Sequence, residues 1–164
     1  MVNGQVVANR GYAVDCTADP IVPEGLELVS HEKIGIIHFD LDHTFFRLHH
    51  LPEQMGSGKI LGYSLCEKIR GLRNVFNANI LDYWLANPSH IPKQCANLNT
   101  NTLFPGTIFR VISSGALCIR YLFKIKKEGY DSSIQSLGNL FGFDSPIATF
   151  DRRSGIPDRR KNRK

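Results

Sequence analysis

Apolar and polar positions alternate most strictly between residues 117 and 125. There Leu117, Ile119, Tyr121, Phe123 and Ile125 fall on one face of an extended chain. Residues 107–112 carry a second strand, and Ser113-Ser114-Gly115-Ala116 between the two is a tight hairpin signal. So short a link makes the pair antiparallel, because a parallel pair needs a crossover of about a dozen residues or more. Lys126-Lys127-Glu128-Gly129 reads as the next turn, and residues 130–137 as a further strand. Toward the N-terminus, short extended runs are predicted near residues 11–16, at 26–29, at 34–39 and at 45–49, the last with Phe46 and Leu48 on one face. Residues 52–62 and 94–102 read as loops, the second strongly polar.

Two segments switch to the helical period. In the first, Ser64 and Glu67 are spaced as a capping box, Leu65, Ile69 and Leu72 share a side, and Gly71 is placed to end the helix. The second is better specified. Asn77 is a capping residue, Phe76 and Leu81 are spaced as a hydrophobic staple, and Ile80, Leu81, Trp84 and Leu85 form the apolar stripe. Asn79 and Asp82 fall on the other side, and Asn87-Pro88 stops the helix, since a residue before proline avoids the helical region. Trp84, on the apolar stripe, reads as core. Together these elements predict an α+β fold: a mostly antiparallel sheet, with two short helices inserted between the N-terminal strands and a C-terminal hairpin. One domain is expected over residues 10–150.

Charge separates the end of the chain from its body. Residues 151–164 hold Arg152, Arg153, Arg159, Arg160, Lys161, Arg163 and Lys164 against Asp151 and Asp158, which equals the whole formal net charge of +5. Residues 1–150 are therefore neutral overall. Residues 151–164 read as a disordered, solvated basic tail, whose chemistry would permit weak contact with nucleic acid or another polyanion. No apolar run approaches the roughly 20 residues of a membrane span, and the start lacks the pattern of a signal peptide, so no membrane partner and a cytoplasmic location are expected. Cys16, Cys66, Cys95 and Cys118 are scattered without a C-x-x-C pair and read as reduced, mostly buried thiols.

Two blocks carry a resemblance. The first is Asn77-Ala78-Asn79-Ile80-Leu81-Asp82-Tyr83, Leu85-Ala86-Asn87-Pro88 and Ile91-Pro92. The second is Gly106-Thr107-Ile108-Phe109-Arg110, then Gly115, Leu117 and Ile119-Arg120-Tyr121-Leu122. In these, and more loosely over residues 14–149, the chain resembles a family of small uncharacterised bacterial proteins. That family looks tryptophan-rich across its hairpin, whereas here Pro105 precedes Gly106 and Trp84 is the single tryptophan. The resemblance implies a fold and no chemistry.

Asp40-Leu41-Asp42-His43-Thr44, after Ile36-Ile37-His38-Phe39, matches the D-x-D-x-T signature of haloacid dehalogenase-like phosphotransferases. On that reading Asp40 is the nucleophile, Asp42 the general acid/base, and both help hold Mg²⁺. The chemistry also needs a parallel sheet, a later hydroxyl and an amine, for which Ser113 or Ser114 and Lys126 are the candidates. The hairpin after Ser114 opposes the parallel sheet, and Asp40 and Asp42 read more simply as turn residues between strands than as a catalytic pair. His38, His43, His49 and His50 beside these carboxylates would suit a metal, but match no zinc spacing. His31 and His90 read as isolated polar positions. With no coherent catalytic set, the expected function is a non-enzymatic binding or interaction module with a protein or small ligand as partner and no cofactor. The alternative is the Mg²⁺-dependent phosphatase using Asp40 and Asp42.

Overall fold

The structure is a computed structural model and describes residues 11–70, 72 and 74–151. Gly71 and the basic residues from Arg152 to Lys164 lie outside the described residues, and so do the expectations placed on them. The fold is α+β with antiparallel-dominated sheets. The described residues form ten strands: β1 Gly11–Asp15, β2 Leu26–His31, β3 Ile36–Asp40, β4 Phe46–His49, β5 Ile60–Leu61, β6 Thr102–Val111, β7 Leu117–Ile125, β8 Gly129–Ser136, β9 Leu140–Phe141 and β10 Ile147–Phe150. The helices are α1 Gly62–Ile69 and α2 Ala78–Ala86, with short 3-10 turns at Pro52–Gln54, Pro88–His90 and Lys93–Ala96.

The main sheet runs β4-β10-β6-β7-β8, and β2 also pairs with β6. Strand β6 can serve two neighbours on one edge because it is long. Its first half meets β10 through Leu103 and Ile147, the one parallel pairing among the described residues, and its second half pairs antiparallel with β2. Gly106 stands where the neighbours change. Its N–H donates to the Phe76 carbonyl, and its carbonyl accepts from the Glu32 N–H. A Cβ there would lie 2.8 Å from the Phe76 oxygen and 3.0 Å from the Asn77 Cα, so no side chain fits. Strand β6 starts five residues earlier than its apolar run suggests. Pro105 and Gly106 look like breakers, yet they lie inside the register shift between Phe104 and Phe109, where proline is tolerated.

Both faces of the sheet are covered. Trp84 of α2 anchors one side, meeting Phe39, Phe46, Phe76 and Phe104 edge-on at 5.6–5.9 Å between ring centres. The β1–β3 ribbon closes that core, in which Ile80 and Leu81 are wholly buried. Each such burial contributes roughly 1.5–3 kcal/mol. On the opposite face Leu103, Ile119 and Ile147 pack against Leu65 and Ile69 of α1 and Phe141 of β9. This double cover corrects the one-faced reading of β7. Cys118 and Leu122 are as buried as Ile119, because α2 lies over the side that alternation left polar.

The cap of α2 is as expected: Asn77 accepts from the Asn79 N–H, and the helix ends before Asn87-Pro88. The start of α1 is not. The helix begins at Gly62, two residues before Ser64, and no side chain caps it. Carbonyls supplied from the β8–β9 turn replace the capping box: the N–H groups of Gly62 and Tyr63 donate to Asn139 and Leu137 at 3.0 Å. Leu72, expected on the apolar stripe, lies past the end of α1 and is exposed.

Candidate functional site

The amides of the 77–79 block are all engaged in holding the chain together. Asn77 is fully buried, and its Nδ2 donates to the carbonyls of Cys16 at 3.1 Å and Glu32 at 2.9 Å. Asn79 Nδ2 donates to the carbonyls of Asp15 and Ala18. Thr107 Oγ1 accepts from the Ala78 N–H at 2.9 Å and lies 2.8 Å from His31 Nδ1. The most distinctive stretch of the sequence is thus a fastening between α2, β1, β2 and β6. Both amide nitrogens are spent on backbone carbonyls.

Asp40 ends β3, whose partner is β1, antiparallel. Its two carboxylate oxygens accept from the Thr44 N–H and the Thr44 hydroxyl, each at 3.0 Å, and its carbonyl accepts from the His43 N–H. This is an Asx-type turn. Asp42 is exposed on it. Ser114 lies in the hairpin before β7, where its Oγ accepts from the Ala116 N–H, and Lys126 follows the other end of β7. Nine residues of strand hold that hydroxyl and amine roughly 30 Å apart. The structure does not bring the phosphotransfer set together.

The histidines also separate. His43, at φ 50°, turns inward and is 5% exposed, with Nε2 2.6 Å from the Tyr12 hydroxyl. Trp84 Nε1–H donates to the same hydroxyl, and Tyr12 stacks on Tyr83 and on His90, which is therefore not isolated. Burial pushes the Tyr12 phenol well above its ordinary range and holds His43 below the usual imidazole value. This network is filled by its own side chains. His38 and His49 are exposed on β3 and β4, and no group of three or more His, Cys, Asp or Glu among the described residues is arranged to hold a metal. Burial also pushes the thiols up, to about 12 at Cys16 and Cys95 and about 11 at Cys66, so they stay protonated and poorly nucleophilic.

One open cleft stands apart from these filled sites. It has a volume of about 450 Å³, within the roughly 300–1,000 Å³ of small-ligand clefts. One wall is the turn before β10, bearing Phe143 and Asp144. The other is the polar segment after Pro92, bearing Gln94, Asn99 and Thr100. Leu48 and Pro146 lie between. Phe143 is 55% exposed and stacks on His50, with ring centres 4.4 Å apart and planes 6° from parallel. His50 Nε2–H donates to the Phe143 carbonyl at 2.7 Å, which leaves Nδ1 as its other polar atom.

The walls are held from behind. Gln54, fully buried, accepts from the Leu51 N–H and donates to the carbonyls of Gly142 and Ser145, on either side of Phe143-Asp144. The Asn101 N–H donates to the Asp144 carbonyl, joining the two walls at 2.8 Å. The side chains of Gln94, Asn99 and Thr100 make no hydrogen bond within the described residues. The sequence marks the polar loop and marks His50 only as a metal candidate, and it does not point to Gln54 or Phe143. The available signal was Gly142-Phe143-Asp144-Ser145-Pro146, a turn composition with an aromatic at its tip.

Comparison with family models, with curated proteins and with solved structures finds no match for this chain. No helix among the described residues is long and apolar enough to cross a membrane.

Proposed function

We propose that the protein is a cytoplasmic, non-enzymatic binding module that takes a small ligand in the cleft between residues 94–100 and 143–146. The observation that supports this most is the contrast in hydrogen bonding. The amides of Gln54, Asn77, Asn79 and Asn87 are consumed by backbone groups, while Gln94, Asn99 and Thr100 present open donors and acceptors beside an exposed aromatic stack. Polar groups beside the apolar Leu48 and Pro146, with the Phe143-Asp144 wall held by a buried glutamine, are what a preorganised binding site requires. A catalytic reading has less support. The carboxylate oxygens of Asp40 are occupied by Thr44, the buried thiols are protonated, and no nucleophile with an adjacent base faces the cleft.

The test is amide NMR of the full chain titrated with a chemically diverse fragment mixture. Shifts concentrated at residues 94–100 and 143–146 are expected. Shifts concentrated elsewhere, or none at millimolar fragment, would remove this reading.

A further inference from the structure

From the chemistry of the cleft we infer that its ligand is a neutral carbohydrate, seated with one ring face on Phe143. The inference rests on the binding-module reading above and adds the ligand class. Three features select it. First, Phe143 offers an exposed ring face whose plane is fixed by stacking on His50 and by the His50-to-carbonyl hydrogen bond. The face of an aromatic ring is the negative pole of its quadrupole, and the C–H bonds on one side of a pyranose present weak positive charge to it. Second, the opposite wall carries Gln94, Asn99 and Thr100, whose amide and hydroxyl groups can each donate and accept. Sugar hydroxyls also do both, so each can be matched without a formal charge.

Third, among the described residues Asp144 is the one carboxylate lining the cleft, and no lysine or arginine lines it. Of its two oxygens, Oδ1 accepts only a long bond, 3.4 Å, from the Ser145 hydroxyl. A carboxylate can accept from two neighbouring hydroxyls of a sugar. It repels phosphate, sulfate and carboxylate groups, which disfavours nucleotides and acidic glycans relative to neutral sugars. The volume suits a mono- or disaccharide rather than a long chain buried along its length. Asp144 and Phe143 are fixed by Gln54 behind them, which is a positioning residue for both.

A glycan array carrying neutral, sialylated and sulfated sugars, probed with the labelled full chain, tests the inference. Binding is expected on neutral glycans and should be displaced by the free sugar. Phe143→Ala should weaken it roughly tenfold, and Asn99→Ala by about threefold to tenfold. Both side chains are solvent-facing, so a matching circular dichroism melt establishes that each variant is folded. Binding confined to acidic glycans, or neutral-glycan binding unchanged in both variants, would overturn the assignment. So would an array without signal while fragment shifts still mark residues 94–100 and 143–146; in that case the cleft binds something other than sugar. Fragment shifts elsewhere would remove the cleft and the sugar together.

Discussion

The 77–79 block and the 94–100 segment are both rich in side-chain amides, and they do opposite things. Asn77 and Asn79 make five hydrogen bonds, four to carbonyls of the 15–18 and 32 region and one to the helix N-terminus. In the second segment Asn97 Oδ1 accepts from the Asn99 N–H, whereas Gln94, Asn99 and Thr100 make no side-chain hydrogen bond among the described residues. Residue type alone therefore does not distinguish fastening from recognition. What distinguishes them is whether the fold supplies backbone partners. A buried amide without them costs about 1–3 kcal/mol, so the fold satisfies those it buries and can leave open only those that water reaches.

The strongest contrast comes from Asn77→Ala. It deletes the cap of α2 and leaves the carbonyls of Cys16 and Glu32 without their donor. A loss of about 3 kcal/mol or more is expected in urea unfolding, with no specific effect on ligand at saturating concentration below the transition. Gln54→Ala should cost about 2–3 kcal/mol and, unlike Asn77→Ala, also weaken binding in the cleft, because it frees the turn bearing Phe143 and Asp144. Equal binding by Gln54→Ala and the parent chain would separate that turn from the site. Gly106→Ala should cost about 1–3 kcal/mol through the clash with Phe76 and Asn77. An unchanged melting temperature would show that β6 can shift there.

Titration is a gentler probe. Burial lowers the His43 and His31 values from 6.5, so the unfolded chain binds protons more readily than the folded one. Their contribution to stability is complete above pH 6.5 and is lost as the pH falls through the lower folded values. His43→Asn, a residue that tolerates the left-handed backbone, should flatten part of that loss. An undiminished slope in urea midpoints between neutral and mildly acidic pH would show that His43 is not a source of it.

Much of the architecture was legible because its causes are local. Asn77, the Phe76–Leu81 staple and Asn87-Pro88 define α2 within a dozen residues, and the β6–β7 hairpin follows from Ser113-Ser114-Gly115-Ala116. What could not be read depends on partners distant in sequence. Ser64 loses its capping role because Leu137 and Asn139 reach the start of α1 first. Strands β5 and β9 are two residues each and exist through one another. Strand β10 lies between β4 and β6, which precede it by about a hundred and about forty residues respectively. The cleft follows the same rule. Its polar wall could be read as a loop, but its aromatic wall is formed by His50 and Phe143, 93 residues apart, on a turn held by Gln54.

The most direct test is thermal unfolding and ligand binding of one double variant, Gln94→Ala with Asn99→Ala, measured beside the parent chain. If these side chains are open for recognition, stability should stay within about 0.5 kcal/mol while fragment-induced shifts at residues 94–100 and 143–146 diminish. A stability loss like that of Asn77→Ala, with the shifts unchanged, would mean that both polar segments fasten the fold and that the cleft is not a site.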